Sequence, residues 1–383
     1  MLQGVFYETG SIYSQILLVL ILFLSFKCVY KLFKFYRIPK FLRYCGMFAF
    51  ILLFYGFIYF ITGKTYKIQD QDTEIQSFSY IKQILCSFLP IFTCYYYSIR
   101  GKITLNQLKF WSLLFIGVAI AIYYKNYIMS LEFAALIGSN QVEFVNNSGY
   151  MFVSLIPLML IWEDKKFIQY SLFFLCSAFV IICMKRGAIL CAIPCVYLFM
   201  KKSINNASRR EKRIIMFFSV FTIIAVIYLI NYMEANSELF MDRLLATKEG
   251  QTSRRDIIYL ELLNASYNRN IVYVLFGEGA NATLLHAQNF AHNDWLELLI
   301  DTGLFGVVLY IGYWINFNKL RLRSKGLGLE NTAITIYFVF FLIRTFFSMS
   351  YSDIPIFASI PLGYFVFYIY HRNNNNIFLY VKN

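Results

Sequence analysis

Long apolar runs alternate with short polar connectors through most of this chain. Eleven runs stand out, at about residues 12–30, 41–62, 79–98, 108–124, 147–162, 167–184, 186–200, 214–232, 294–317, 332–350 and 353–371. About 20 apolar residues in a helix match a bilayer's hydrocarbon core of roughly 30 Å. A helix is also the one open-ended element that satisfies its own backbone in lipid. The pattern therefore predicts an all-α polytopic membrane helix bundle of about 11 transmembrane helices, a single integral membrane domain spanning residues 1–383. The connection over residues 233–293 breaks the rhythm: it is long and has almost no extended apolar run. Its short apolar pieces, Ile257 to Leu263 and Ile271 to Phe276, predict amphipathic helices lying over the bundle. No internal repeat is visible, and Asn373 to Asn376 is a low-complexity tail.

Composition agrees with lipid as the solvent. The residues are 59% hydrophobic and 20% aromatic but only 15% charged, more apolar surface than a soluble domain of this length can hide. A net charge of +14 raises the question of nucleic acid, but the basic residues sit in short clusters between apolar runs, so no nucleic-acid partner is expected. The first run, Ile16 to Phe26, is followed and not preceded by cations (Lys27, Lys31, Lys34), which predicts a retained first helix with its N-terminus outside. Alternate loops, with Arg372 and Lys382 in the tail, then hold 23 of the 35 Lys and Arg on the cytoplasmic side. The eight cysteines lie in or beside apolar segments, which suits structural thiols and neither a disulfide framework nor a metal knuckle.

Candidate chemistry gathers at one predicted membrane edge, between Phe276 and Leu309. His292, Asn293, Asp294, Glu297 and Asp301 fall within about two to three helical turns there. His292 has two readings: a general base, because imidazole titrates near neutrality, or a helix cap or interfacial anchor. Asp294, Glu297 and Asp301 are spaced i, i+3 and i+7 on one helical face, placed to orient that base, bind a sugar or cap the helix. Lys185 and Arg186 break two apolar runs at the predicted outer surface, as headgroup anchors or as ligands for an anionic substrate. Arg344, deep in the tenth run, repeats that signal. Arg254 and Arg255 offer guanidinium forks for phosphate oxygens, or a solvated face paired with Asp256. Asp70-Gln71-Asp72 is a weak metal motif, and no metal or other cofactor is expected. A flippase or transporter for lipid-linked oligosaccharide is a rival reading, since outer cations and Arg344 suit an anion path. Against it stand the absence of paired halves and the gathering of polar groups at one face.

Four stretches in order resemble the O-antigen ligase and O-antigen polymerase superfamily: NNSGYMFVSLIPL (Asn146 to Leu158), KRGAIL (Lys185 to Leu190), TSRRDIIY leading to LFGEGAN, and AHNDWLELLIDTGLFG (Ala291 to Gly306) with its Thr-Gly-x-x-Gly. The likeness covers roughly residues 140–320. It implies a multi-pass protein of the bacterial inner membrane, with a periplasmic active site and a polyprenyl-diphosphate-linked oligosaccharide as substrate. The activity implied is a metal-independent inverting glycosyltransferase. The polymerase reading is preferred, with a chain-length regulator as partner; the alternative is a ligase that passes the glycan to lipid A core. By resemblance, Arg186 and one of Arg254 or Arg255 hold the diphosphate and His292 activates the acceptor hydroxyl. Lys185, Arg254, Asn293, Asp294, Glu297 and Arg344 complete the substrate-binding set. TSRRD departs from the family, which more often has a glycine between serine and arginine; register favours Arg255.

Overall fold

A computed structural model describes residues 12–63, 65–67, 74–75, 77–136, 147–205, 207–236, 255–267 and 269–371. Asp70, Asp72, Arg254 and much of the 233–293 connection, all of interest in the sequence, lie outside the described residues. The described chain is helical apart from loops and one very short strand pair. In order the helices are α1 (Ile12–Phe35), α2 (Lys40–Thr62), α3 (Ser77–Ile99), α4 (Leu105–Leu136), α5 (Gly149–Met159) and α6 (Lys166–Ile182). There follow α7 (Arg186–Asn205), α8 (Arg209–Asn236), α9 (Arg255–Tyr267), α10 (Ile271–Phe276) and α11 (Thr283–Ala287). The last four are α12 (Asp294–Asp301), α13 (Gly303–Arg323), α14 (Leu329–Phe347) and α15 (Ile356–His371). Strands β1 (Tyr66–Lys67) and β2 (Glu74–Ile75) pair antiparallel, Tyr66 opposite Ile75, a hairpin with no signal in the hydropathy pattern.

A helix lies over each of the eleven apolar runs. Five of the described helices, α1, α2, α4, α7 and α14, are long and apolar enough to cross a membrane. Their exteriors are apolar: Phe23, Phe50 and Ile193 are each at least 61% exposed, which water would penalise and lipid does not. Proline usage fits the same solvent. Of the six prolines, Pro90, Pro157, Pro194 and Pro361 lie inside helices, where neighbouring helices in a bilayer can re-satisfy the freed carbonyls.

The run at 294–317 is not one helix. Thr302 (φ −125°) and Gly303 (φ +65°) divide it into α12 and α13, and Thr302 Oγ1 donates back to the Leu298 carbonyl at 2.8 Å. A side chain at Gly306 would occupy the place of Thr302 Oγ1. Thr-Gly-x-x-Gly is thus a corner: a left-handed glycine turns the chain, and a second glycine makes room for the threonine that ends α12.

The helices gather into two compact units. One comprises residues 12–21, 100–236 and 326–340, the other 22–99, 255–325 and 341–371 of the described chain. The second unit is tied by a column of rings from α2 and α13. Phe48 stacks on Tyr310 at 5.1 Å, Tyr310 on Tyr313 at 5.8 Å and Trp314 on Phe317 at 5.9 Å. In the first unit Phe173 of α6 stacks on Phe199 of α7 at 4.0 Å, Trp162 Nε1 donates to Ser112 Oγ at 2.9 Å, and Lys109 pairs with Asp164 at 2.5 Å. All eight cysteines are free thiols, and all but Cys86 are buried.

Candidate functional site

In the second unit the polar rim is built around α12. Asn293, in extended conformation, caps it: Oδ1 accepts the N–H groups of Trp295 at 3.0 Å and Leu296 at 3.3 Å. Capping by a side-chain oxygen satisfies donors that the first turn leaves open. The cap is therefore Asn293, and His292 sits one residue outside it with φ +51°, half-buried. Asn281 and Gln288 also hold left-handed φ, at 61° and 49°. Such values cost a non-glycine residue of order 1 kcal/mol each, and three of the four described cases fall between Gly277 and Gly303.

Asp294, Glu297 and Asp301 share a face, as their spacing predicts, and that face points inward. All three are at most 1% exposed. Asp294 accepts the Tyr310 hydroxyl at 2.5 Å through Oδ2 and the Ser350 N–H at 2.7 Å through Oδ1. Glu297 accepts the Thr283 hydroxyl at 2.7 Å and the Ala291 N–H at 2.5 Å, and its carboxylate also faces the backbone N–H of His292. Asp301 Oδ2 accepts the Asn281 N–H at 3.0 Å, and the N–H groups of Ala282 and Thr283 face the same carboxylate. A buried carboxylate is costly unless charge-assisted hydrogen bonds replace its water; the loop's own donors do so for Glu297 and Asp301, and Tyr310 and Ser350 do so for Asp294. Of the three, Glu297 is the acid that holds the backbone at His292, through the N–H groups of Ala291 and His292.

The loop is also stitched directly to the end of α12. Glu278 N–H donates to the Ile300 carbonyl and Gly279 N–H to that of Asp301, both at 3.0 Å. Gly277 (φ +72°) and Gly303 approach so closely that a β-carbon on Gly303 would lie 2.5 Å from the Gly277 nitrogen. Beneath, Ile258 and Leu262 of α9 pack with Ala282, Ala287, Ala291 and Ile300, while Ile257 and Leu260 of the same helix are exposed.

Arg255 opens α9, and its Nη2 donates to the Phe347 carbonyl at 3.4 Å. Trp295 Nε1 donates to Thr345 Oγ1 at 3.1 Å. The last turn of α14 thus anchors both Arg255 and the residue three places after His292. Arg344 on that turn is buried, donating to the Asp353 carbonyl and to Asp353 Oδ2, both at 2.6 Å. Its guanidinium is occupied by the chain itself.

Lys185 and Arg186 belong to the other unit. Met184 is left-handed (φ +52°), and the Lys185 carbonyl accepts the N–H groups of Ala188 and Ile189 at 2.9 and 3.0 Å, starting α7. Gly149 of NNSGY lies against this turn: a β-carbon there would be 3.0 Å from Ala188 Cβ and 3.6 Å from Lys185 Cβ. Two of the four motifs therefore pack on each other. Both cations are half-buried at a helix N-terminus, the end where positive charge is unfavourable and anions are bound.

One constellation went unread in the sequence. Glu278 pairs with Arg269 at 2.6 Å and with His286 Nε2 at 2.8 Å. Burial draws the Arg269 guanidinium below its ordinary pKa, opposed by Glu278 and Asp301. Burial, then Asp301 and Glu278, raise the Tyr66 phenol on β1. No local spacing announces this triad; the single available hint was an acid placed between two glycines. Among the described residues no group of three or more His, Cys, Asp or Glu could hold a metal ion. No family model matches the chain, and no curated protein matches it.

Proposed function

We propose that this chain is a membrane glycosyltransferase that polymerises polyprenyl-diphosphate-linked oligosaccharide units on the periplasmic face of the inner membrane, with about eleven transmembrane helices. The observation that carries the reading is the His292 turn. Its backbone is held in a costly conformation by a cap on one side and a buried carboxylate on the other, while the residue stays half-buried beside a helix that shares its anchor with Arg255. Strain retained at one residue by so many contacts is typical of a group held for chemistry.

The reaction asks two things of the protein. The acceptor hydroxyl oxygen attacks the anomeric carbon, the bond from that carbon to the diphosphate oxygen breaks, and the hydroxyl proton passes to His292. The diphosphate leaves with the electron pair, and guanidinium groups stabilise its growing charge. Displacement in one step inverts the anomeric centre. A positioned base contributes about 10² to 10⁴ in rate. Asp294, Glu297 and Asn293 serve here as positioning residues. Arg255 offers phosphate contacts in its unit, and Lys185 and Arg186 offer an anion site in theirs. The pairing of Arg344 with Asp353 weakens the transporter alternative, which relied on that cation.

The test is purified protein supplied with carrier-linked repeat unit alone. Polymer and released polyprenyl diphosphate are expected, with His292→Ala and Arg186→Ala losing both at normal membrane abundance. Neither polymer nor released diphosphate until lipid A core is added would favour the ligase. Full-length polymer from His292→Ala would remove the proposed base.

A further inference from the structure

A groove of about 340 Å³ opens between α6 and α8, lined by Phe167, Arg210, Arg213, Ile214, Phe217 and Phe218, all within one unit. Its wall is a ring stack: Phe167 lies 5.5 Å from Phe218, which stacks on Phe174 at 5.6 Å. Both arginines are exposed, and neither forms an ion pair or hydrogen bond among the described residues. The neighbouring acid, Glu211, is engaged elsewhere, accepting the Ser208 N–H at 2.6 Å in the cap of α8.

The first five residues of α8 include four cations, Arg209, Arg210, Lys212 and Arg213, at the helix end where the macrodipole disfavours them. Topogenic charge explains their number. It does not explain why two, spaced i and i+3, stand over an aromatic groove. From them an exposed apolar stripe continues along the same face through Phe217, Phe221 and Ile224. Arg213 to Ile224 spans about 16 Å, close to one leaflet, half of a hydrocarbon core of roughly 30 Å. Cations at the head and an apolar track one leaflet long are the complement of a single lipid.

We infer that this groove binds an anionic glycerophospholipid of the surrounding membrane, its phosphate gripped by Arg210 and Arg213 and one acyl chain laid along Phe217 and Phe221. Guanidinium forks match phosphate oxygens, and an open, weak site suits a ligand present in bulk better than a scarce carrier lipid. The inference is independent of the glycosyltransferase reading.

The test is native mass spectrometry of the full chain exchanged into micelles containing phosphatidylglycerol, phosphatidylcholine or polyprenyl phosphate at equal mole fraction. The wild type should retain phosphatidylglycerol, and Arg210→Gln/Arg213→Gln about tenfold less or lower, two charge-assisted contacts being lost. Lys212→Gln, the same kind of charge loss off the groove, should bind normally. Phe217→Glu, at an exposed position, should abolish retention even if the double variant folds poorly. Equal retention by the double variant or by Phe217→Glu would overturn the site, as would equal loss in Lys212→Gln or equal binding of phosphatidylcholine. Tighter binding of polyprenyl phosphate would overturn the assigned occupant.

Discussion

The turn at Cys183–Ala188 and the loop at Gly277–Gly303 are built from the same devices and differ in how deeply their charges are buried. Each holds a non-glycine left-handed residue, Met184 or His292, and each depends on a glycine pressed against a neighbouring segment. In the turn, Lys185 and Arg186 remain half-exposed. In the loop, three carboxylates are buried and engaged by the chain's own donors. The two motifs therefore differ in burial: the acids of the loop lie inside, whereas the cations of the turn reach the surface. The difference sets an expectation: changing an acid in the loop should cost more stability than changing a cation in the turn.

The largest effect is expected where backbone meets backbone. Gly303→Ala should destabilise by about 3 kcal/mol or more, combining a left-handed penalty with overpacking. Gly149→Ala, whose added carbon meets the β-carbons of Ala188 and Cys183 at 3.0 and 3.3 Å but carries no left-handed penalty, should cost less, about 1 to 2 kcal/mol. Thermal unfolding of the purified protein in detergent measures both, and equal costs would break the contrast.

Next comes Glu297→Ala, expected at about 2 to 3 kcal/mol because it orphans the Ala291 N–H and the Thr283 hydroxyl. Hydrogen exchange should speed up at Ala291 and His292, with Glu297→Gln restoring part of the protection. Unchanged exchange at those two amides would mean that the acid does not hold the histidine turn. Tyr310→Phe removes one partner of Asp294 and leaves its Ser350 contact, so a loss of about 1 kcal/mol is expected in the same melt.

The smallest effects belong to the turn. Lys185→Gln and Arg186→Gln should leave stability within about 0.5 kcal/mol while weakening binding of an anionic lipid diphosphate by isothermal titration. A melt shifted as far as that of Glu297→Ala would show that these cations also build.

Much of the fold was legible because apolar run length is a local property. A helix lies over each apolar run, and the acids do share a helical face. The division at Thr302 was less legible, since Gly303 reads as a tolerated small residue until its contact with Gly277 is seen. The chain as a string of letters determined where helices form, that several are apolar enough for a bilayer, and which few residues carry charge beside it. Tertiary structure alone decided that Asp294 answers to Ser350, 56 residues away, that Glu278 joins Arg269 to His286, and that Arg344 pairs with Asp353. The reason is physical: helix propensity and hydropathy sum over neighbours in sequence, whereas the fate of a buried charge is set by whichever distant donor the fold brings within about 3 Å.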